Sequence, residues 1–215
     1  MADDALTLVL VRHGQTPMTV SGAYSGSSGP GPELTAAGRV QAAQAADLVA
    51  RMGRSAWPEL PHPGALVASP MVRTRQTAAA VGRRLGLPVL VDAALAECDF
   101  GAWEGLTADE IDASWPGHLR RWHREPGLPA HGGESIEDVG ARVAPALDAL
   151  LAGGTGRTVV AVTHSITARV AVGIALGAPS TSWARIRVAP GSVSIVRLRP
   201  AGDHEVRVVG MPSGR

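Results

Sequence analysis

The sequence predicts an α/β protein, a three-layer αβα sandwich built around a mostly parallel sheet. Three observations predict it. Short apolar runs of strand length alternate with longer stretches whose apolar residues recur about every 3.6 positions. Several of the short runs are apolar at nearly every position, the pattern of strands covered on both faces. The chain has 215 residues, 45% of them hydrophobic, enough for one sizeable core, and no linker divides it. A single domain over 1–215 is expected, with residues 93–134 as an inserted segment that covers the site.

The first strand is expected at 6–11, a continuous run of Leu, Thr and Val. Residues 20–34, "VSGAYSGSSGPGPEL", are rich in Gly, Ser and Pro and read as a loop. Thr35 is the N-cap of a helix over 36–52. A second strand falls at 64–69. Ser69 and Pro70 then read as N-cap and first residue of a helix ending near Leu85. A third strand is expected at 87–92. Residues 93–134 mix short helical pieces with several Trp. Ser135 and Asp138 form a capping box, with Asp in the usual Glu or Gln place, that opens a helix to about Leu151. Residues 157–164 form another buried strand, ending on a His, and 165–176 a helix. Strands at 192–200 and 204–210 close the chain.

Charge narrows the choice of partner. The 20 basic and 19 acidic residues leave a formal net charge of +1, which argues against nucleic acid or an anionic membrane. Every basic residue is Arg, so any anion site must use guanidinium groups, His or backbone N–H groups. Cys98 is the single cysteine, which excludes an internal disulfide and a CxxC metal knuckle. The opening "MADDAL" is acidic and unlike a signal peptide. No apolar run approaches the roughly 18 residues that span a bilayer. A soluble, cytoplasmic protein is expected, monomer or homodimer.

Two predicted strands end alike. "LVLV" delivers Arg12, His13 and Gly14, and "VVAV" delivers Thr163, His164 and Ser165. A third, "ALVA", delivers Ser69 and Pro70, then a helix with Arg73 in its first turn. Ligands of open α/β sheets bind beyond the carboxyl ends of the strands. Two imidazoles and at least one guanidinium fork gathered there suit a dianion, with phosphate the obvious candidate. Gly14 in that pocket lets a ligand approach the backbone closely.

"LVRHGQT" resembles the signature of the histidine phosphatase superfamily, the phosphoglycerate-mutase-like proteins. "ASPMVRTRQTA" (68–78), "LAECDFGAWEG" (95–105), "HGGES" (131–135) and "VVAVTHS" (159–165) resemble further motifs of that family, in the family's order. They span nearly the whole chain. The resemblance implies the phosphoglycerate-mutase-like fold and a phosphohistidine enzyme with His13 as nucleophile. It makes His164 the second pocket histidine, donating to phosphoryl oxygens. It implies that Arg12 and Arg73 clamp those oxygens, that Glu97 is the proton donor, and that Gly14, Gln15, Thr16 and Ser165 line the phosphate pocket. Arg75 competes with Arg73, but positions i and i+2 point to different helix faces, so Arg75 is expected in solvent. Glu104 is the rival of Glu97. Two His and one Glu also resemble a metal set, yet two Arg in the same pocket would repel a cation. No metal and no cofactor are expected.

Mutases of the family bear Arg and Tyr just after the acid Glu. Here those places hold Cys98 and Phe100, which make neither charged nor hydroxyl contacts. Thr19 and Ala23 also depart from the mutase pattern. "ECDFGAWEG" with "HGGES" is closer to the α-ribazole-phosphatase branch and its broad-specificity relatives. The expected function is a phosphomonoesterase acting on a small organic phosphate. The alternatives are a cofactor-dependent mutase and a non-catalytic binder of phospho-ligands on the same fold. Trp103, Trp115 and Trp122 fall in the covering segment, either as an apolar rim for the leaving group or as core packing.

Overall fold

The computed structural model describes residues 4–214; the first three residues of the acidic start lie outside them. Six strands form one sheet: β1 (Leu6–Arg12), β2 (Pro63–Ala68), β3 (Leu90–Val91), β4 (Arg157–Thr163), β5 (Val193–Leu198) and β6 (Glu205–Met211). Their spatial order is β3-β2-β4-β1-β5-β6. The first four are parallel to one another; β5 runs antiparallel to β1, and β6 antiparallel to β5.

The uninterrupted apolar runs have the cause expected of them. Val9 and Val11 of β1 pack with Val160 and Val162 of β4 against α2 (Ala36–Ala50) and α3 (Val72–Leu85). Leu6, Leu8 and Leu10 pack with Val159 and Ala161 on the opposite face, against α6 (Ile136–Ala152) and α7 (Ser165–Ala175). Strand side chains alternate between faces, so a strand covered on both sides must be apolar throughout. This is the three-layer αβα sandwich.

The connections create the site. After β1 the chain passes to α2 on one face, and after β4 it passes to α7 on the other. β1 and β4 are neighbours. The chain therefore leaves adjacent strand ends in opposite directions, which opens a crevice beyond them.

Several local expectations hold and several are corrected. Thr35 caps α2, and Ser135 and Asp138 make a reciprocal capping box on α6. Ser69 does not cap α3: the cap is Met71, Pro70 lies outside the helix, and the Ser69 hydroxyl is engaged by His164 at 2.7 Å. The third strand shrinks to Leu90–Val91, whose side chains are exposed because β3 is the sheet edge. The loop expected from residue 20 starts later, because a short helix α1 (Pro17–Ser21) takes Val20 and Ser21. Its cap is Thr16, which exchanges hydrogen bonds with Thr19. The segment 93–134 contains two short helices, α4 (Ala108–Ser114) and α5 (His118–Trp122), and two 3-10 turns. Trp103 and Trp122 are fully buried in the core, with rings 6.0 Å apart. They and Trp115 are core packing, not a pocket rim.

Candidate active site

Strand register places the two histidines together. β1 and β4 pair with Arg12 opposite Thr163, and the His13 N–H donates to the Thr163 carbonyl at 3.0 Å. The next residues on each strand are His13 and His164. Their rings lie 5.2 Å apart at 63°. Nδ1 of His13 faces the Gly14 carbonyl at 2.7 Å. A carbonyl only accepts, so Nδ1 carries the proton and Nε2 keeps its lone pair. Nδ1 of His164 accepts from Arg73 Nε at 3.2 Å, so Nε2 is protonated and donates to Ser69 Oγ at 2.7 Å. Burial, then the charges of Arg73 and Arg12, hold His13 well below the usual imidazole range. Burial and Arg73 do the same to His164. Both rings are neutral near pH 7.

The arginines divide in role. Arg12 donates through Nη1 to the Val188 carbonyl at 2.7 Å, while its Nε is buried without a partner. Burial lowers its pKa to about 10, against the pull of Glu97. Arg73 is wholly buried. Nε holds His164, and Nη2 holds the Ser25 and Gly26 carbonyls, both at 3.0 Å. Its Nη1 is buried without a partner. Arg75 is exposed, on another face of α3.

Glu97 is 4% exposed and sits at the amino end of α7. Its carboxylate accepts from the backbone N–H groups of Ser165 at 2.9 Å and Ile166 at 3.1 Å. A helix terminus leaves those groups unpaired and favours an anion. Arg142 of α6 anchors the loop that carries Glu97. Its Nη1 donates to the Ala94 and Ala96 carbonyls, its Nη2 to the Glu97 carbonyl, all at 2.8–2.9 Å. Its Nε meets Glu134 of the "HGGES" stretch at 3.0 Å. Glu104 instead accepts from the Gly26 N–H and ties down the Ser25–Gly26 turn.

A cavity of about 370 Å³ opens at this point. Arg12, His13, Thr16, Glu97 and Ser165 line it. His164 and Arg73 stand behind this wall, the His164 ring against that of His13 and Arg73 bonded to it. Gln15 lies outside: its side chain accepts from Thr35 and its N–H donates to Gln41. Gly14 serves helix packing. A methyl group there would strike the Gly38 carbonyl of α2. Sequence reasoning missed Tyr24, His123, Arg169 and Arg187, which also line the cavity. Arg169 had a usable signal, since it follows Ser165 by four residues on a helix that starts at the site. Arg187 and His123 had none. Among the described residues, no group of three or more His, Cys, Asp or Glu is placed to hold a metal ion. Nor is any helix long and apolar enough to cross a membrane.

The parallel-sheet sandwich thus holds two imidazoles at adjacent strand ends, flanked by buried guanidinium groups. The family model of the histidine phosphatase superfamily (branch 1) matches residues 8–209, and the chain belongs to that family. It is 38% identical over 202 residues to a bifunctional protein of Mycobacterium tuberculosis, covering 94% of this chain and 53% of that protein. The chain thus spans about half the length of that relative. It is 34% identical over 183 residues to a glucosyl-3-phosphoglycerate phosphatase of Mycolicibacterium vanbaalenii, covering 82% of this chain and 76% of that protein. The solved structure of a mycobacterial glucosyl-3-phosphoglycerate phosphatase with VO3 superposes with a TM-score of 0.84 at 31% identity, over 95% of this chain and 99% of that one.

Proposed function

We propose that the protein is a phosphomonoesterase that hydrolyses a small organic phosphate through a phosphohistidine on His13. One observation carries this reading: the bond from His13 Nδ1 to the Gly14 carbonyl leaves Nε2 unprotonated in a cavity rimmed by Arg12. A neutral imidazole nitrogen is a competent nucleophile at neutral pH.

Nε2 of His13 attacks phosphorus, and the P–O bond to the leaving group breaks. The ring becomes cationic, and its Nδ1–H to Gly14 strengthens as it does. The free Nε–H of Arg12 binds a phosphoryl oxygen, and Arg73 adds its charge from behind His164. His164 exchanges the Ser69 hydroxyl for a phosphoryl oxygen as charge builds there. Glu97, the carboxyl that lines the cavity, takes the proton of the ester monoanion and passes it to the leaving oxygen. It then takes a proton from the water that attacks phosphohistidine, which releases phosphate and restores neutral His13. Cys98 and Phe100 stand where a mutase holds the carboxylate of its substrate, which favours water over a second hydroxyl as acceptor. The phosphatases among the relatives support the same choice. The substrate is a small phosphate ester.

The test is rapid-quench labelling with a phosphorus-32 ester. An acid-labile phosphoryl group on His13, absent in His13→Ala, is expected, with a rate loss on the order of 10⁴ or more. Equal turnover by both proteins rejects the reading. Faster transfer to a glycerate hydroxyl than to water identifies a mutase.

A further inference from the structure

Arg12, Arg73 and two histidines suffice for one phosphoryl group, yet the cavity holds two more guanidinium groups. Arg169 projects from the second turn of α7, and its Nε is buried without a hydrogen-bond partner. Arg187, just after α8 (Ser180–Trp183), is exposed and makes only a 3.3 Å contact to the Ala184 carbonyl of its own turn. His123 at the end of α5 lies with them. Burial and the charges of Arg169 and Arg187 depress its imidazole, so the three groups share one field. Glu97 is the single acidic residue lining the cavity, and its oxygens are already taken by α7.

A neighbouring depression of about 580 Å³ shares His123 and Arg187 with the cavity. Arg124 and Arg185 line that depression, and no acidic side chain does. Like charges gathered on one wall repel one another, and a partly buried donor without a partner costs free energy. Both costs are relieved by an anion bound between them.

We propose that Arg169, Arg187 and His123 form a second anion subsite, and that the natural substrate is a phosphate ester bearing a second acidic group. The inference rests on the phosphatase reading above and adds the substrate class to it. The scissile phosphate sits at Arg12 and His13, and the second carboxylate or phosphate sits on the Arg169–Arg187 wall. Cavity length, not chemistry at phosphorus, then sets the spacing between the two acids.

Alkyl phosphates of three to six carbons test this, each made with a hydroxyl, a carboxylate or a second phosphate at the far end. In the wild type, one chain length with an acidic end is expected to exceed its hydroxyl counterpart in kcat/KM by about tenfold or more, the scale of a charge-assisted pair. Carboxylate and phosphate ends, compared at that length, identify which acid the subsite prefers. Arg187→Ala and Arg169→Gln should each shrink that ratio by about tenfold, chiefly through KM. Arg187 is exposed, so its replacement keeps the fold if Arg169→Gln does not. Raised salt should shrink the ratio as well. Phosphate release with a ratio near one at every length, or a ratio untouched by Arg187→Ala, overturns the subsite alone. No phosphate release from any ester overturns the phosphatase reading itself, and the substrate class with it.

Discussion

His13 and His164 meet edge to face, 5.2 Å apart, because β1 and β4 pair with Arg12 opposite Thr163. A slip of one residue would send one imidazole to the other face of the sheet. The same pairing sets both tautomers, through the Gly14 carbonyl for His13 and through Arg73 for His164.

Both imidazoles should stay neutral well below pH 6.5 in the free protein. Their folded pKa values lie under the unfolded value. Above about pH 6.5 both states are neutral there and folding is unaffected. As pH falls below that, the unfolded chain takes up protons that the native rings refuse, so stability falls. Ring C–H resonances of His13 and His164 should not move between pH 7.5 and 5.5. Denaturant midpoints should decline over the same range, less steeply in His13→Asn. A normal titration of either ring near 6.5 contradicts the assignment.

Glu97→Gln should separate the two chemical steps. A good leaving group needs no proton, so p-nitrophenyl phosphate should still phosphorylate His13. The following hydrolysis lacks its base. A burst of one nitrophenol per enzyme is expected, then slow turnover, with alkyl phosphates losing roughly 10²-fold or more in the first step. Stopped-flow absorbance reads both. Uniform loss on every ester, without a burst, assigns Glu97 no proton transfer.

Arg142→Met should loosen the loop that carries Glu97. It strands three carbonyls and the Glu134 carboxylate, all partly buried. A loss of about 3 kcal/mol is expected, or roughly 6–12 °C in Tm for a chain of this size. If Arg142 acts by positioning Glu97, kcat on alkyl phosphates should fall further than kcat on p-nitrophenyl phosphate. Equal losses on both would reduce Arg142 to stability alone.

Gly14→Ala should destabilise by about 1–3 kcal/mol through collision with Gly38, and Gly38→Ala likewise through the Gln15 carbonyl. Thermal melts measure each. An unchanged melting temperature in Gly14→Ala would mean that α2 does not pack this tightly on the end of β1.

The layers, and the strand ends that carry the two histidines, were readable from the sequence. β1 and β4 announce themselves by apolar runs that end on Arg12-His13 and Thr163-His164, because periodicity and strand ends are local properties of the chain. The capping of α2 and α6 was readable for the same reason. Tertiary structure alone decided what depends on register and on packing between distant elements. Ser69 belongs to His164 rather than to α3, and Gly14 packs on Gly38 of α2. Gln15 turns to Thr35, and Trp103 and Trp122 sink into the core. Arg169, Arg187 and His123 come from three separate elements, and no local pattern records that they share one cavity wall. Composition and spacing determine which chemistry the chain carries. The direction of each side chain across the crevice is set only when the sheet closes and the helices pack.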